Sequence, residues 1–207
     1  MKRNILRANL REFEETLKKR RLFVFEPKDV VRLFGWSATS VKFLLHRYTK
    51  RGITVRLKNG LYAFNGVTIP EFYIANRLCD PSYVSLEAAL SFHRLIPETV
   101  YTTTSITTRT PRERSALGRE YRYHRVQSHA FAGYKPIVQG DFTALVADPE
   151  KALVDYYYLV ARGLRKPLDK ERLRIKDLKR HQVTTYARLF KNKKLLTLLA
   201  TLFPPKL

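Results

Sequence analysis

The chain has 207 residues, 44% of them hydrophobic, with 12 Tyr and 12 Phe, so it can bury a core and is not a disordered basic tail. Its 40 Lys and Arg against 18 Asp and Glu leave a net charge of +22, which points to a polyanionic partner. The lone cysteine, Cys79, excludes an intrachain disulfide and any multi-thiolate zinc site, and reads as a small half-buried hydrophobe.

In chain order, residues 1–21 are too charged to hold a signal-peptide core, and the longest apolar run, residues 195–203, is far too short to span a membrane. A cytoplasmic protein without a membrane partner is expected. A first helix is predicted over residues 5–20, with Leu6, Leu10, Phe13 and Leu17 on one stripe, and a short strand over residues 22–25. Residues 27–34 read as a second helix with Pro27 at an early position, where its missing N–H does no harm. Gly35-Trp36-Ser37 supplies a stop and a restart: Gly suits the left-handed position after a helix, and the Ser37 hydroxyl suits a cap.

Residues 38–51 then show helical periodicity. Val41, Leu44, Leu45 and Tyr48 share one face, while Thr39, Lys42, Phe43, His46, Arg47 and Lys50 lie opposite. Phe43 breaks the polar pattern; packing under the first helix is preferred there over contact with a thymine methyl. Lys58-Asn59-Gly60-Leu61 reads as a hairpin with a type I′ turn. Counted from that turn, Leu57 faces Tyr62 and Val55 faces Phe64 on the core side. Arg56, Lys58, Leu61 and Ala63 then lie on the outer side, and Asn59 sits at the tip. Helix, turn, helix, hairpin is the order of a winged helix-turn-helix, a module that lies against duplex DNA. On that reading Lys42, Arg47, Lys50, Arg56 and Lys58 neutralise phosphates. Thr39, Ser40, Lys42 and His46 face base edges, and Asn59 with the wing contacts the flanking backbone.

Residues 65–70 form a natural boundary, giving a DNA-binding domain over 1–66 and a second domain over 67–207. The charge divides along the same lines. Residues 1–66 hold 16 Lys and Arg against 5 Asp and Glu, residues 67–160 hold 10 against 10, and residues 161–207 hold 14 against 3. The middle is α/β in texture. Helices are expected over residues 71–78 and 85–95, the latter capped by Ser85 with Leu86, Ala89, Leu90 and His93 on one side. Strands are expected over 99–108, 120–126, 136–138 and 142–146. Asp148-Pro149-Glu150 starts a helix, with Asp148 as its cap. That helix carries Tyr156-Tyr157-Tyr158, read as a packed aromatic face. Residues 170–203 read as two or three basic helices.

No glycine-rich phosphate loop, HExxH or GxSxG pattern is present, and His46, His93, His124, His129 and His181 lack metal-ligand spacing. Asp141, Asp148, Glu150 and Lys151 could build a magnesium-dependent nuclease, but a helix cap accounts for Asp148-Pro149-Glu150 more simply. Neither an enzyme nor a cofactor nor a metal is expected.

Four segments, in order, resemble the AbiEi family of antitoxins from type IV toxin–antitoxin (abortive infection, phage defence) systems. They are Arg56-Leu57-Lys58-Asn59-Gly60-Leu61-Tyr62-Ala63, Pro81-Ser82-Tyr83-Val84-Ser85-Leu86-Glu87-Ala88-Ala89-Leu90, Leu95-Ile96-Pro97-Glu98-Thr99-Val100-Tyr101 and Asp148-Pro149-Glu150-Lys151-Ala152-Leu153-Val154-Asp155. The resemblance covers residues 25–160. It implies an α/β (α+β) protein whose winged helix binds inverted repeats in its own promoter and represses it. It also implies an antitoxin domain that counters a nucleotidyltransferase toxin of the AbiEii type, without necessarily forming a stable complex. Three alternatives remain open: an RNA- or tRNA-binding protein that protects the toxin's target, a C-terminal toxin-binding face made by Leu195, Leu196, Leu198 and Leu199, and a winged-helix regulator unrelated to toxins.

Overall fold

A computed structural model describes residues 10–203. The protein is mixed α/β, with two sheets, and divides into two compact units at Pro70/Glu71, the end of the 65–70 segment. Among the described residues no helix is long and apolar enough to cross a membrane.

The first unit runs α1 (Leu10–Lys19), β1 (Val24–Phe25), α2 (Pro27–Phe34), α3 (Ala38–Lys50), β2 (Thr54–Lys58) and β3 (Leu61–Phe64). Leu6 and the start of the expected first helix lie outside the described residues. The rest forms α1, which buries Phe13 and Leu17. At the head of α2 the Asp29 carboxylate accepts from the Glu26 N–H at 2.9 Å, so an acid satisfies one of the helix's orphan donors. Gly35 ends α2 in the left-handed region, at φ 66°, and its N–H donates to the Val31 carbonyl. Ser37 then caps α3, its Oγ accepting from the Ser40 N–H at 3.2 Å. Val41, Leu44, Leu45 and Tyr48 are buried, as their spacing requires. They join Phe13, Leu17, Phe25, Val30 and Phe64 in one core. Phe13 is its hub: Tyr48, Phe25 and Phe64 meet its ring edge-on, and Phe34 stacks on it at 5.6 Å.

The hairpin departs from expectation. Gly60 takes a positive φ of 72° but Asn59 does not, so the turn is not type I′, which needs both. The ladder pairs Lys58 with Leu61, then slips at Leu57. Arg56 therefore faces Tyr62, Val55 faces Ala63 and Thr54 faces Phe64. One surplus residue in one strand shifts everything beyond it to the opposite face. Thr54 and Arg56, not Val55 and Leu57, thus share a side with Phe64 and Tyr62. Nor are Leu61 and Ala63 turned to solvent; both are buried. β1 closes the three-stranded antiparallel sheet by pairing Val24 with Ala63 and Phe25 with Tyr62.

The second unit contains α4 (Glu71–Leu78), β4 (Ser82–Val84), α5 (Leu86–Phe92), β5 (Thr102–Thr107), β6 (Arg112–Ala116), β7 (Arg119–Arg125), β8 (Tyr134–Gln139), β9 (Phe142–Ala147), α6 (Pro149–Ala161), α7 (Arg180–Leu189) and α8 (Lys193–Ala200). Its six-stranded sheet has the order β6-β7-β5-β4-β9-β8. β4 is central, antiparallel to β5 and parallel to β9. Sequence reading missed β4, which follows directly on the helix-breaking Asp80-Pro81, and β6, whose composition Arg-Glu-Arg-Ser-Ala is polar. α6 is buried along nearly its whole length, packed on α5, α7 and α8. Leu195 and Leu199 of α8 are consumed by this packing. The alternative toxin-binding row of Leu195, Leu196, Leu198 and Leu199 is therefore not available as a set.

Candidate nucleic-acid interface

α3 positions most of the proposed contact residues. Its apolar face is fixed in the core, so the opposite face must look outward. Thr39, Lys42, Phe43, His46, Arg47 and Lys50 are all exposed, and the helix contains no acidic residue. Lys42 lies in the first half of α3, and Arg47 and Lys50 in its last turn. Arg47 also lies 5.9 Å from the Tyr48 ring, which keeps its guanidinium along the helix surface.

Ser40 does not join this face. It is half-buried, and its hydroxyl is hydrogen-bonded to that of Ser37 at 2.8 Å, inside the helix cap. The pattern signal for Ser40 was real, but the cap competes for the same side chain. Phe43, expected to pack under α1, does the reverse and is 70% exposed. The helical spacing settles this: Phe43 lies between Thr39 and Arg47 on the polar face, and no bend in α3 could turn it inward.

In the wing, Arg56 is exposed and its Nη2 donates to Asn59 Oδ1 at 2.7 Å. The hydrogen bond ties the cation to the turn. Lys58 is half-buried beside it.

The carboxylates weighed for a nuclease do not converge. Asp148 accepts a hydrogen bond from the Tyr186 hydroxyl at 2.8 Å and pairs with the Lys135 ammonium at 2.9 Å. Contrary to expectation, its side chain makes no cap on α6. Glu150 Oε1 accepts from the Lys179 N–H at 3.0 Å. Asp141 is exposed beside the β8–β9 turn. Lys151 turns into the interior.

That interior holds a polar cluster that sequence reading missed. Lys151 and Asp155, one turn apart on α6, are fully buried and ion-paired. Lys151 Nζ also donates to Tyr83 Oη at 2.9 Å. Tyr83 and Ser85 donate to Asp155 Oδ2 at 3.0 and 2.7 Å. Ser85 therefore does not cap α5 with its side chain, as the spacing had suggested; Leu86, next in the chain, takes a left-handed φ of 56°. The Lys151 ammonium lies 4.8 Å from the Phe190 ring centre, and Tyr83 stacks on Tyr134 at 4.7 Å. Burial pushes Asp155 up and Lys151 down, each opposed by the charge of the other. Burial raises the Tyr83 hydroxyl well above its ordinary range, with Asp155 adding to the effect. Two of the segments that carry the family resemblance, residues 81–90 and 148–155, meet in this cluster. A buried Lys and Asp in one apolar helix are visible in sequence; their partners, some 70 residues away in the chain, are not.

No known family matches the chain, and no curated protein matches it. Among solved structures it is similar to the crystal structure of the RV2827C protein from Mycobacterium tuberculosis, at 14% identity over 93% of this chain and 80% of that one, with a TM-score of 0.46. A likeness of that degree says nothing about function.

Proposed function

We propose that the first unit is a winged helix that binds duplex DNA, with α3 in the major groove and the β2–β3 wing on the adjacent backbone. The observation that carries this reading is the outward face of α3. Thr39, Lys42, His46, Arg47 and Lys50 form one exposed, acid-free strip on a helix whose other face is locked into a core. A recognition helix needs that division: cations and small polar groups toward phosphates and base edges, apolar residues inward. Arg56 extends the strip to the wing.

Taken with the resemblance to AbiEi antitoxins, the reading becomes an autoregulating repressor that also opposes a nucleotidyltransferase toxin. The mechanism is binding, not catalysis. Fluorescence anisotropy tests it, comparing the DNA upstream of the coding region with a scrambled duplex across a salt series. A preference that survives rising salt supports sequence-specific repression. Equal binding to both, fading steeply with salt, reduces the surface to counterion release and overturns it. Rescue of cells from a co-expressed toxin encoded beside this gene tests the antitoxin half.

RNA is the second reading. It draws on α7 and α8, whose sequences Arg-His-Gln-Val-Thr-Thr-Tyr-Ala-Arg-Leu and Lys-Lys-Leu-Leu-Thr-Leu-Leu-Ala contain no acid. Tighter binding to structured RNA than to the upstream duplex would favour it.

A further inference from the structure

Phe43 follows the helical spacing of α3 but departs from the burial of the large apolar side chains in its unit. Phe13, Phe25, Tyr48 and Phe64 are buried, Phe34, Trp36 and Tyr62 lean on them, and Phe23 is half-buried. Among the described residues of this unit, Phe43 is the one large apolar side chain left exposed. It stands at the centre of the α3 strip, beside Lys42 and one helical turn from Thr39, His46 and Arg47. A ring in that position gives up the gain of burial while the protein is free. It recovers that gain only if a partner covers it with something apolar.

The cations around it select a polyanion as that partner. The floor of the major groove consists of hydrogen-bond donors and acceptors with a single apolar group, the C5-methyl of thymine. A phenyl ring can bond none of the donors or acceptors, so the methyl is what it can read. We infer that Phe43 is a specificity-determining residue that recognises the thymine methyl in the DNA site, through apolar contact between its ring and the methyl group. Lys42 and Arg47, beside it on the helix, hold the groove walls while the ring reads the floor. The inference rests on the DNA reading of this unit and adds to it a base preference and the side chain that sets it.

The probe is the duplex upstream of the coding region, prepared in two forms: with thymine, and with deoxyuridine at every thymine position. The two differ only in methyl groups. Anisotropy with the full chain should show a loss of about three- to five-fold in affinity for each contacted methyl removed. In Phe43→Ala the two duplexes should bind alike, because the variant lacks the ring that distinguishes them. In Phe43→Leu, which keeps an apolar side chain, much of the difference should return. Phe43 lies outside the core, so these variants should fold as the parent does.

Equal binding of both duplexes by the parent chain would overturn the inference while leaving sequence-specific DNA binding intact. So would a thymine-to-uracil ratio that Phe43→Ala leaves unchanged, since DNA stiffness rather than the ring would then be responsible. A parent chain that prefers neither upstream duplex over a scrambled one would remove the DNA reading itself, and the inference with it. If Phe43→Ala instead abolishes a dimer seen by light scattering and leaves the ratio unaltered, the ring serves a second copy of the chain and the inference fails.

Discussion

Ser85 stands at the N-terminus of α5 yet donates its hydroxyl hydrogen bond to Asp155 Oδ2, 2.7 Å away on α6. A residue placed to cap one helix instead joins the buried ion pair of another. The choice follows from what is left unsatisfied otherwise. A carboxylate with no access to water needs every donor it can recruit, whereas a helix end can find other partners.

Removing the cation from this cluster should be costly. Lys151→Met leaves Asp155 buried without its counter-charge and should destabilise the second unit by about 3–5 kcal/mol. Ser85→Ala removes one hydrogen bond to a charged group and should cost about 1.5–3 kcal/mol. Urea unfolding followed by tyrosine fluorescence would separate the two. Equal and negligible effects would mean that the cluster is solvated.

Gly133 presents a steric test of the same region. A Cβ built there meets Tyr186 Cε1 at 2.7 Å and Lys151 Cγ at 3.0 Å, and the backbone is left-handed at φ 78°. Gly133→Ala should therefore cost about 2–4 kcal/mol from overpacking and strain together. Gly140→Ala, also left-handed but facing open space, should cost only the strain, about 1–2 kcal/mol. Thermal unfolding of the two variants is the comparison.

Alkali should unfold the second unit in a defined window. Burial pushes Tyr121, Tyr156 and Tyr186 up to about 12, Tyr186 with help from Asp148. Each hydroxyl ionises near pH 10 in an unfolded chain. A folded value raised above the unfolded one contributes stability that is complete below pH 10 and is lost as pH climbs through 12. Tyrosinate absorbance should then rise late and together with loss of structure. Replacing Tyr121, Tyr156 and Tyr186 by Phe should remove this late component; a late component that persists in that variant would contradict this.

On α3, stability and DNA affinity should separate by residue. Ser37→Ala removes the cap and should cost about 1 kcal/mol of stability in the first unit. Lys50→Ala should leave stability unchanged but lower the salt dependence of DNA binding by about one unit of slope, the signature of one lost phosphate contact. Denaturation and anisotropy on the same preparations would decide. A Lys50 variant with an unaltered slope would place that side chain off the DNA.

The helical part of the first unit was legible in sequence because its signals are local. Pro27, Gly35 and Ser37 mark helix ends by their own backbone and hydroxyl chemistry, and the spacing of Val41, Leu44, Leu45 and Tyr48 fixes which face goes in. The wing was legible as a hairpin but not in register, because nothing near Asn59-Gly60 announces the slip at Leu57. The same spacing that buried Leu44 also exposed Phe43, and only a preference for hiding rings obscured it. The Lys151 cluster was illegible for a different reason: its members are joined by folding, not by spacing. Of the proposed contact residues, those on α3 other than Ser40 are exposed on one helix face, Arg56 and Asn59 are exposed on the hairpin, and Lys58 is half-buried.

The surplus residue at Leu57 also bears on any attempt to move this wing into another scaffold. A transplant aligned outward from Asn59-Gly60 would match the turn and still set Val55 and Arg56 on the wrong sides of the ribbon. The portable unit is the turn together with its odd strand length. Deleting Leu57 alone would leave the hairpin able to close while removing the kink that aims Arg56 at Asn59. The geometry of this hairpin is thus specified by a residue count as much as by any side chain.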